Sequence, residues 1–327
     1  MILKIETMQR PRKDRSARRS KGILGPGADL AFAPLADPGI RQRVMVAHLV
    51  SRGRQSVQRH LGRPLGRVLL RRWMCDKIES QYLESLGLPR HIVEEVLGEE
   101  ALTLHVDPRK LIRIAVHAPR HVEKRSSSLA FIWEGTWDQR REDLRVGTRY
   151  SLISELDENR GRLERTRRFQ DLMGCIDRGE PWASHQLGVL LDTPEKILAY
   201  LQVYLDFLDD MAVNGFDPGR GKDPIGVAIT RDGTVVKVNR GLHRLAMAQR
   251  LGLPSVPVQV RHVHRLWWKE VTQGASGEAA LLRMQQALAQ CRPEEHPGPL
   301  DEDPEANLPP DFWPEPRRVQ AGARQEK

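Results

Sequence analysis

The stretch Asp223-Pro-Ile-Gly-Val-Ala-Ile-Thr-Arg-Asp-Gly-Thr-Val-Val-Lys-Val-Asn-Arg-Gly-Leu-His-Arg-Leu-Ala-Met-Ala-Gln-Arg-Leu-Gly-Leu-Pro-Ser-Val-Pro-Val-Gln-Val260 decides the fold. Ile225, Val227 and Ile229 alternate with small residues, Arg231-Asp232-Gly233 supplies the residue types of a tight turn, and Thr234 to Val238 is again β-branched, so the first half predicts a hairpin. Leu245, Ala248 and Leu251 then recur at helical spacing, and Gly252 with Pro254 supplies a stop. Val256, Val258 and Val260 alternate once more. The unit reads hairpin, helix, strand.

Gly241 falls where the second strand turns into the helix, which puts Leu242, His243 and Arg244 in its first turn. Backbone N–H groups there lack partners within the helix and the helix dipole favours anions, so a phosphate is the ligand such a turn suits. Arg244 can add a bidentate charge-assisted contact, and His243 can donate a hydrogen bond or exchange a proton near neutral pH. Lys237 and Arg240 raise the local positive potential. The plainer alternative is a helix start with a surface arginine and a histidine satisfied by backbone.

Gly241-Leu-His-Arg-Leu-Ala-Met-Ala-Gln-Arg-Leu-Gly-Leu-Pro-Ser-Val-Pro-Val resembles the nucleotide-binding core of the ParB and sulfiredoxin superfamily, which includes chromosome-partition CTPases, sulfiredoxins and free serine kinases. There a Gly-x-His-Arg or Gly-x-Arg-Arg motif opens a helix and holds nucleotide phosphates. The resemblance implies that role for Gly241, His243 and Arg244, with ATP or CTP as the nucleotide, with or without Mg2+. Leu242 stands where sulfiredoxin has its catalytic cysteine, which argues against sulfinic-acid repair, and Arg240 stands where the kinase-like members have an acid. Asp223, Asp232 or Asp217 is left to serve as acid or base. The run from Val106-Asp-Pro108 to Val116 is similar to the first strand of those cores, so the resemblance spans about residues 102 to 265.

A chain of 327 residues suggests one or two domains and can bury a sizeable core. Its net charge of +9 has a clear cluster between Arg10 and Lys21, a solvated arm or a contact for nucleic acid or anionic lipid. Arg52, Arg54, Arg59, Arg63, Arg67, Arg71 and Arg72 either follow a phosphate backbone or form a soluble helical surface. No apolar run is long enough to span a membrane and no signal-peptide core follows the basic start, so a cytoplasmic location is expected. Cys75, Cys175 and Cys291 are scattered without metal-site spacing and fit reduced thiols.

Leu70, Met74, Ile78, Tyr82 and Leu86 repeat every four residues, predicting one amphipathic helix over Leu69 to Leu86. Leu163, Phe169, Leu172, Met173 and Ile176 suggest another helix, and Thr193-Pro194-Glu195 opens a third that runs to Gly215. Trp133 and Trp137 either stack on a base or sugar or anchor the core. His262 and His264 continue the phase of Val256, Val258 and Val260 and share their face, either joining His243 around a transition metal or hydrogen-bonding locally or touching a phosphate. Arg220 and Lys222 lie in a glycine-bearing loop without Walker spacing.

The expected fold class is α+β with an α/β-like core: a small mixed sheet with helices, preceded by a helical region. The expected organisation is a disordered basic arm at 1–38, a helical region at 39–100, the core at 101–270 with a helical insertion at about 150–215, a C-terminal helix at 271–292 and a disordered acidic tail at 293–327. The expected function is binding of a nucleoside di- or triphosphate at Asn239 to Arg244, and any enzyme built on it is a phosphotransferase or nucleotide hydrolase, with His243, Asp223 and Asp232 as catalytic candidates. The alternatives are a nucleic-acid-binding ParB-like protein or nuclease, and a noncatalytic scaffold.

Overall fold

A computed structural model describes residues 24–25, 28–57, 60, 63–75, 77–116, 127, 129–220, 223–238, 240–301, 308–309 and 312–313. The Arg10–Lys21 cluster, Arg59, Lys222 and Asn239 lie outside them. In chain order the helices are α1 (Arg41–Val57), α2 (Arg63–Cys75), α3 (Lys77–Ser85), α4 (Arg90–Leu97), α5 (Thr148–Glu158), α6 (Arg167–Asp177), α7 (Pro194–Asn214), α8 (Leu242–Leu251), α9 (Arg265–Thr272) and α10 (Gly277–Leu288). The strands are β1 (Thr103–Val106), β2 (Arg113–Ala115), β3 (Ile132–Trp133), β4 (Arg141–Asp143), β5 (Trp182–Ser184), β6 (Val189–Leu191), β7 (Ile225–Ile229), β8 (Val235–Lys237) and β9 (Val256–His264). The class is α+β. No helix among the described residues is long and apolar enough to cross a membrane.

The chain divides into two compact units, residues 1–53 with 169–203, and 54–168 with 204–327. The boundary at 53 cuts the helical region expected at 39–100, and the expected helical insertion contains the β5–β6 hairpin. In the first unit Asp29 and Asp37 each accept a backbone N–H two residues ahead, opening short 3-10 turns at Leu30–Leu35 and Pro38–Ile40. Phe32 and Leu35 are buried, so this end of the stretch expected as a disordered arm is folded. Phe32 packs on Tyr200 at 5.8 Å and Trp182 on the same ring at 5.4 Å. Helix α7 starts where Thr193 and Pro194 predict, with the Lys196 N–H donating to Thr193 Oγ1 at 3.3 Å.

The second unit is built on a seven-stranded mixed sheet in the order β1-β9-β7-β8-β2-β4, with β3 added alongside β9. The β7–β8 hairpin sits inside it, flanked by β9 and β2, and every residue of both strands is buried. Two buried strands need residues that are apolar in both directions, which is why Ile-Gly-Val-Ala-Ile rather than a polar alternation fills β7. One face carries a cluster of Ala130, Trp133, Trp137, Ala228, Val236 and Val238.

Helix α8 is buried from Leu245 to Leu251, polar residues included. Gln249 donates its amide to the carbonyls of Pro108 and Leu111 at 3.0 and 3.1 Å, and Arg250 pairs with Asp157 of α5 at 2.8 Å. These bonds offset the desolvation of a helix that has almost no wet side.

The single helix expected over Leu69 to Leu86 is two helices, α2 and α3. Its predicted stripe is not the buried face: Met74, Tyr82 and Leu86 are exposed, while Trp73 and Leu83 are buried. The Glu84 carboxylate accepts Trp73 Nε1 at 3.2 Å and Trp268 Nε1 at 3.1 Å, so the two indoles choose the inward face. Burial lifts the Glu84 carboxyl above its ordinary range, against the hydrogen bonds from Trp268 and Trp73.

The acidic segment expected as a disordered tail from residue 293 is seated on the sheet in its described parts. Val235 N–H donates to the Arg292 carbonyl at 2.8 Å, and Glu294 N–H donates back to Val235 at 2.9 Å. Arg141 pairs with Glu294 at 2.7 Å, Arg113 donates to the Glu295 carbonyl at 3.0 Å, and Arg145 donates to the Leu308 and Phe312 carbonyls at 2.8 and 3.0 Å while pairing with Asp143 at 2.6 Å. Trp313 meets Tyr150 edge to face at 5.2 Å and donates to the Arg109 carbonyl at 3.0 Å. Buried guanidinium groups on β2 and β4 demand oxygen acceptors, and this segment supplies them.

Candidate functional site

Strand β8 ends in a turn whose last two residues are left-handed, Arg240 at φ +47° and Gly241 at φ +74°. A Cβ on Gly241 would lie 2.9 Å from Ile225 Cα and 3.0 Å from the Pro224 carbonyl oxygen, both rigid backbone. Glycine is therefore required twice over, for its φ and for its lack of bulk. It presses the turn against the start of β7 and, as N-cap of α8, offers no side-chain oxygen to the N–H groups of Leu242, His243 and Arg244.

The non-glycine left-handed residue is held from two sides. Arg240 pairs with Asp223 at 2.5 Å, and its carbonyl accepts Lys237 Nζ at 2.6 Å. Lys237 is 0% exposed and also donates to the Val238 carbonyl. Burial drops its amine to about 7. The role expected for Lys237, a cation bathing the ligand, is replaced by an internal one: it fixes the carbonyls of the turn. In the same way Arg240 is engaged by Asp223 rather than held out as a separate charge.

His243 is partly buried, its ring 5.1 Å from that of Tyr204 on α7. Burial, reinforced by the guanidinium groups of Arg149 in the first turn of α5 and Arg168 in the first turn of α6, pushes its imidazole down to about 4, so it is neutral at pH 7. Arg244 lies over the Phe216 ring at 4.2 Å and donates through Nη2 to the Asp217 carbonyl. Its Nη1 is buried and has no hydrogen-bond partner among the described residues. Burial lowers the Arg244 pKa, and the nearby Asp217 opposes that.

Of the acidic candidates, Asp223 stands at the turn, paired with Arg240. Asp217 lies beside Arg244, with its carboxylate accepting the Gly219 N–H at 2.8 Å. Asp232 is a correction. It is exposed in the turn joining β7 to β8, at the far end of the hairpin from Gly241, which packs on Ile225. Five strand residues at about 3.3 Å each separate the two ends, so Asp232 cannot exchange a proton with His243. Arg220, in the loop before β7, is paired with Asp210.

The second histidine pair is also a correction. Strand β9 does extend through His262 and His264, but its pairing with β7 slips between Val227 and Ala228: Val260 pairs with Val227 and His262 with Ala228. The extra residue reverses the alternation, so both histidines leave the face of Val256, Val258 and Val260 for that of Ala228 and the tryptophans. His262 stacks on Trp133 at 3.6 Å and bonds the Ala130 carbonyl through Nδ1, and His264 bonds the Gly135 carbonyl through Nε2 while its Nδ1 accepts the Leu266 N–H. Both imidazoles serve the fold. Among the described residues no group of three His, Cys, Asp or Glu side chains could hold a metal.

Trp133 and Trp137, 5% and 4% exposed, are core anchors in contact with each other at 5.5 Å. Beside them Asp138, wholly buried, accepts the Arg231 guanidinium at 2.8 Å and the Arg231 N–H at 2.8 Å. Burial works to raise this carboxyl, but the bonds from Arg231 bring it below its usual range. Asp138–Arg231 and Arg149–Arg168 were not singled out by sequence reasoning. The first joins a Trp-Asp dipeptide to a turn arginine 93 positions away, and the charges of the second both act on the His243 imidazole. Only the tertiary fold shows either pair. No family model, no curated protein and no solved structure matches this chain.

Proposed function

We propose that the protein binds the phosphates of a nucleotide at the turn from Arg240 to Arg244. The observation that carries this reading is the uncapped first turn of α8 together with Arg244, one residue past His243, whose buried Nη1 has no hydrogen-bond partner among the described residues. The resemblance of the Gly241–Val258 segment to ParB and sulfiredoxin cores supports the same reading and favours CTP or ATP. Gly241 allows close approach, Arg244 neutralises charge, and His243, neutral before the ligand arrives, donates or accepts one hydrogen bond. If chemistry follows, Asp223 beside the turn is the carboxylate placed to orient an attacking hydroxyl or a Mg2+ ion, by releasing Arg240 to the phosphates.

The test is a thermal-shift panel of CTP, ATP, GTP, their diphosphates and free phosphate, with and without Mg2+, on the intact chain and on Arg244→Ala. A stabilisation by one nucleotide that is lost in the variant is the expected result, since ligand binding to the folded state alone raises the melting temperature. No shift with any of them sinks the reading.

A further inference from the structure

We propose that the outer face of α1 is a seat for an anionic lipid surface: the helix lies flat on the bilayer, its aliphatic side chains dip between the headgroups, and the arginines at its rim meet their phosphates. The proposal is independent of the nucleotide reading. It starts from a surplus of apolar surface. Met45, Val46, Leu49 and Val50 are each more than half exposed, although the inner side of the same helix already buries Val44 and the turn before it buries Ile40.

Successive residues of a helix are about 100° apart, so Met45, Val46, Leu49 and Val50 share with Gly53 a sector of roughly 140°. The opposite side faces inward: Val44 is wholly buried, and His48 Nε2 bonds the Leu24 carbonyl at 2.8 Å. Arg41 and Arg52 border the stripe on one flank and Arg43 on the other, all three exposed, while Gln42 closes its N-terminal end. The helix contains no Asp or Glu. An exposed apolar stripe is thus framed by charge of one sign, the pattern of a helix that lies in an interface. Spanning is a different matter, since no helix among the described residues is long and apolar enough to cross a membrane.

The frame decides between occupants. A second copy of this face would set arginines against arginines with no acid on either helix to relieve them. A nucleic-acid backbone asks for cations along the middle of the face, where this helix has aliphatic carbon. An acidic protein helix matches the charge but finds in the stripe none of the Trp or Tyr anchors that dominate protein interfaces. An anionic bilayer matches both parts, because methyl and thioether groups enter the headgroup boundary and arginines lay their apolar stems along it with the guanidinium at the phosphates. Interfacial binding is stable when two such signals act together. The second is in the sequence: seven Lys or Arg residues between Arg10 and Lys21, against Asp14 alone, come just ahead of Leu24, the residue that His48 of α1 holds.

Flotation of the intact protein with vesicles in which about one lipid in three is phosphatidylserine, against phosphatidylcholine alone, reads the partition. The expected result is binding to the anionic vesicles, weakened by salt. Val46→Gln combined with Leu49→Gln removes apolar surface without touching charge, and both positions are exposed, so the melting temperature should hold while the partition falls at least about tenfold. Arg43→Gln should lower it about fivefold at low salt. Leu49→Trp should bind more tightly, with the added indole quenched by brominated lipid. No partition into anionic vesicles, or a partition that the double glutamine variant leaves unchanged, overturns the proposal. So does either rival result in the absence of vesicle binding: self-association that the double variant abolishes, which assigns the face to a second copy, or duplex DNA binding that Arg43→Gln weakens, which assigns it to nucleic acid.

Discussion

Two places where arginines are buried differ in what meets the guanidinium. Arg113, Arg141 and Arg145 on and after β2 and β4 are buried, and each is met by oxygen: Asp143, Glu294, and the carbonyls of Glu295, Leu308 and Phe312. Arg244, in the first turn of α8, lies over Phe216, donates to the Asp217 carbonyl through Nη2 and keeps a buried Nη1 with no hydrogen-bond partner among the described residues. The same side chain is fully met by oxygen in one place and keeps one nitrogen without a partner among the described residues in the other.

Removing a clamp should cost most. Arg145→Met leaves Asp143 buried without its closest cation and releases the carbonyls of Leu308 and Phe312, and breaking a buried pair from one side costs about 3–5 kcal/mol. Urea unfolding should show the midpoint fall accordingly, with the Trp313 fluorescence change preceding the main transition as the segment detaches. An unchanged midpoint would mean that the seat of the acidic segment contributes nothing to stability.

On the ligand side, Gly241→Ala combines a left-handed backbone with a Cβ pressed onto Ile225 Cα, a strain of about 1–3 kcal/mol. The effect should be uneven: a moderate loss of melting temperature, but loss of the nucleotide-induced shift altogether, because the turn can relieve the contact only by moving the first turn of α8. Gly98→Ala, also at positive φ but with open space around it, is the matched control and should leave ligand binding intact.

How far the sequence foretold this contrast depends on whether a signal was local. The hairpin, helix and strand from Ile225 to Val260 were legible because alternation, turn residues and the Gly252 stop all act within a few residues of themselves. The glycine at the turn was legible for the same reason. The slip at Val227/Ala228 was not, since a bulge is a property of two strands together, and it moved His262 and His264 to the other face. Helix α2 was misread because a strict four-residue stripe counted for more than the indole N–H of Trp73, whose acceptor is Glu84. The acidic segment after Pro293 looked solvated because its arginine partners lie about 150 or more positions upstream, where composition cannot point.

Lys237 sharpens the comparison, being a buried amine whose donors go to the carbonyls of Val238 and Arg240. Its folded-state amine at about 7 lies below the ordinary 10.5, so the unfolded chain holds more protons between these values and stability contributed by this residue rises with pH across that window. The slope is at most about 1.4 kcal/mol per pH unit for one proton. Unfolding curves of the intact protein and Lys237→Met, compared as pH rises from neutrality, should converge in slope only if the amine titrates elsewhere. The variant should also loosen the turn, because the carbonyls of Val238 and Arg240 lose their donor.

The smallest effect expected is the one that separates two aspartates of the same hairpin. Asp232→Asn changes an exposed turn residue at the end of the hairpin remote from Gly241, and surface substitutions of this kind stay within about 0.5 kcal/mol. Asp223→Asn removes the carboxylate that engages Arg240 beside the site. If the ligand's phosphates take over Arg240, the second variant should bind nucleotide at least as tightly as the intact protein, having no internal anion to displace, while any turnover falls. If Asp223 instead holds the turn in shape, binding weakens and the melting temperature falls with it. Nucleotide titration of the two variants side by side therefore reads whether the acid at the turn competes with the ligand or builds its seat, and Asp232→Asn fixes the baseline against which either change is judged.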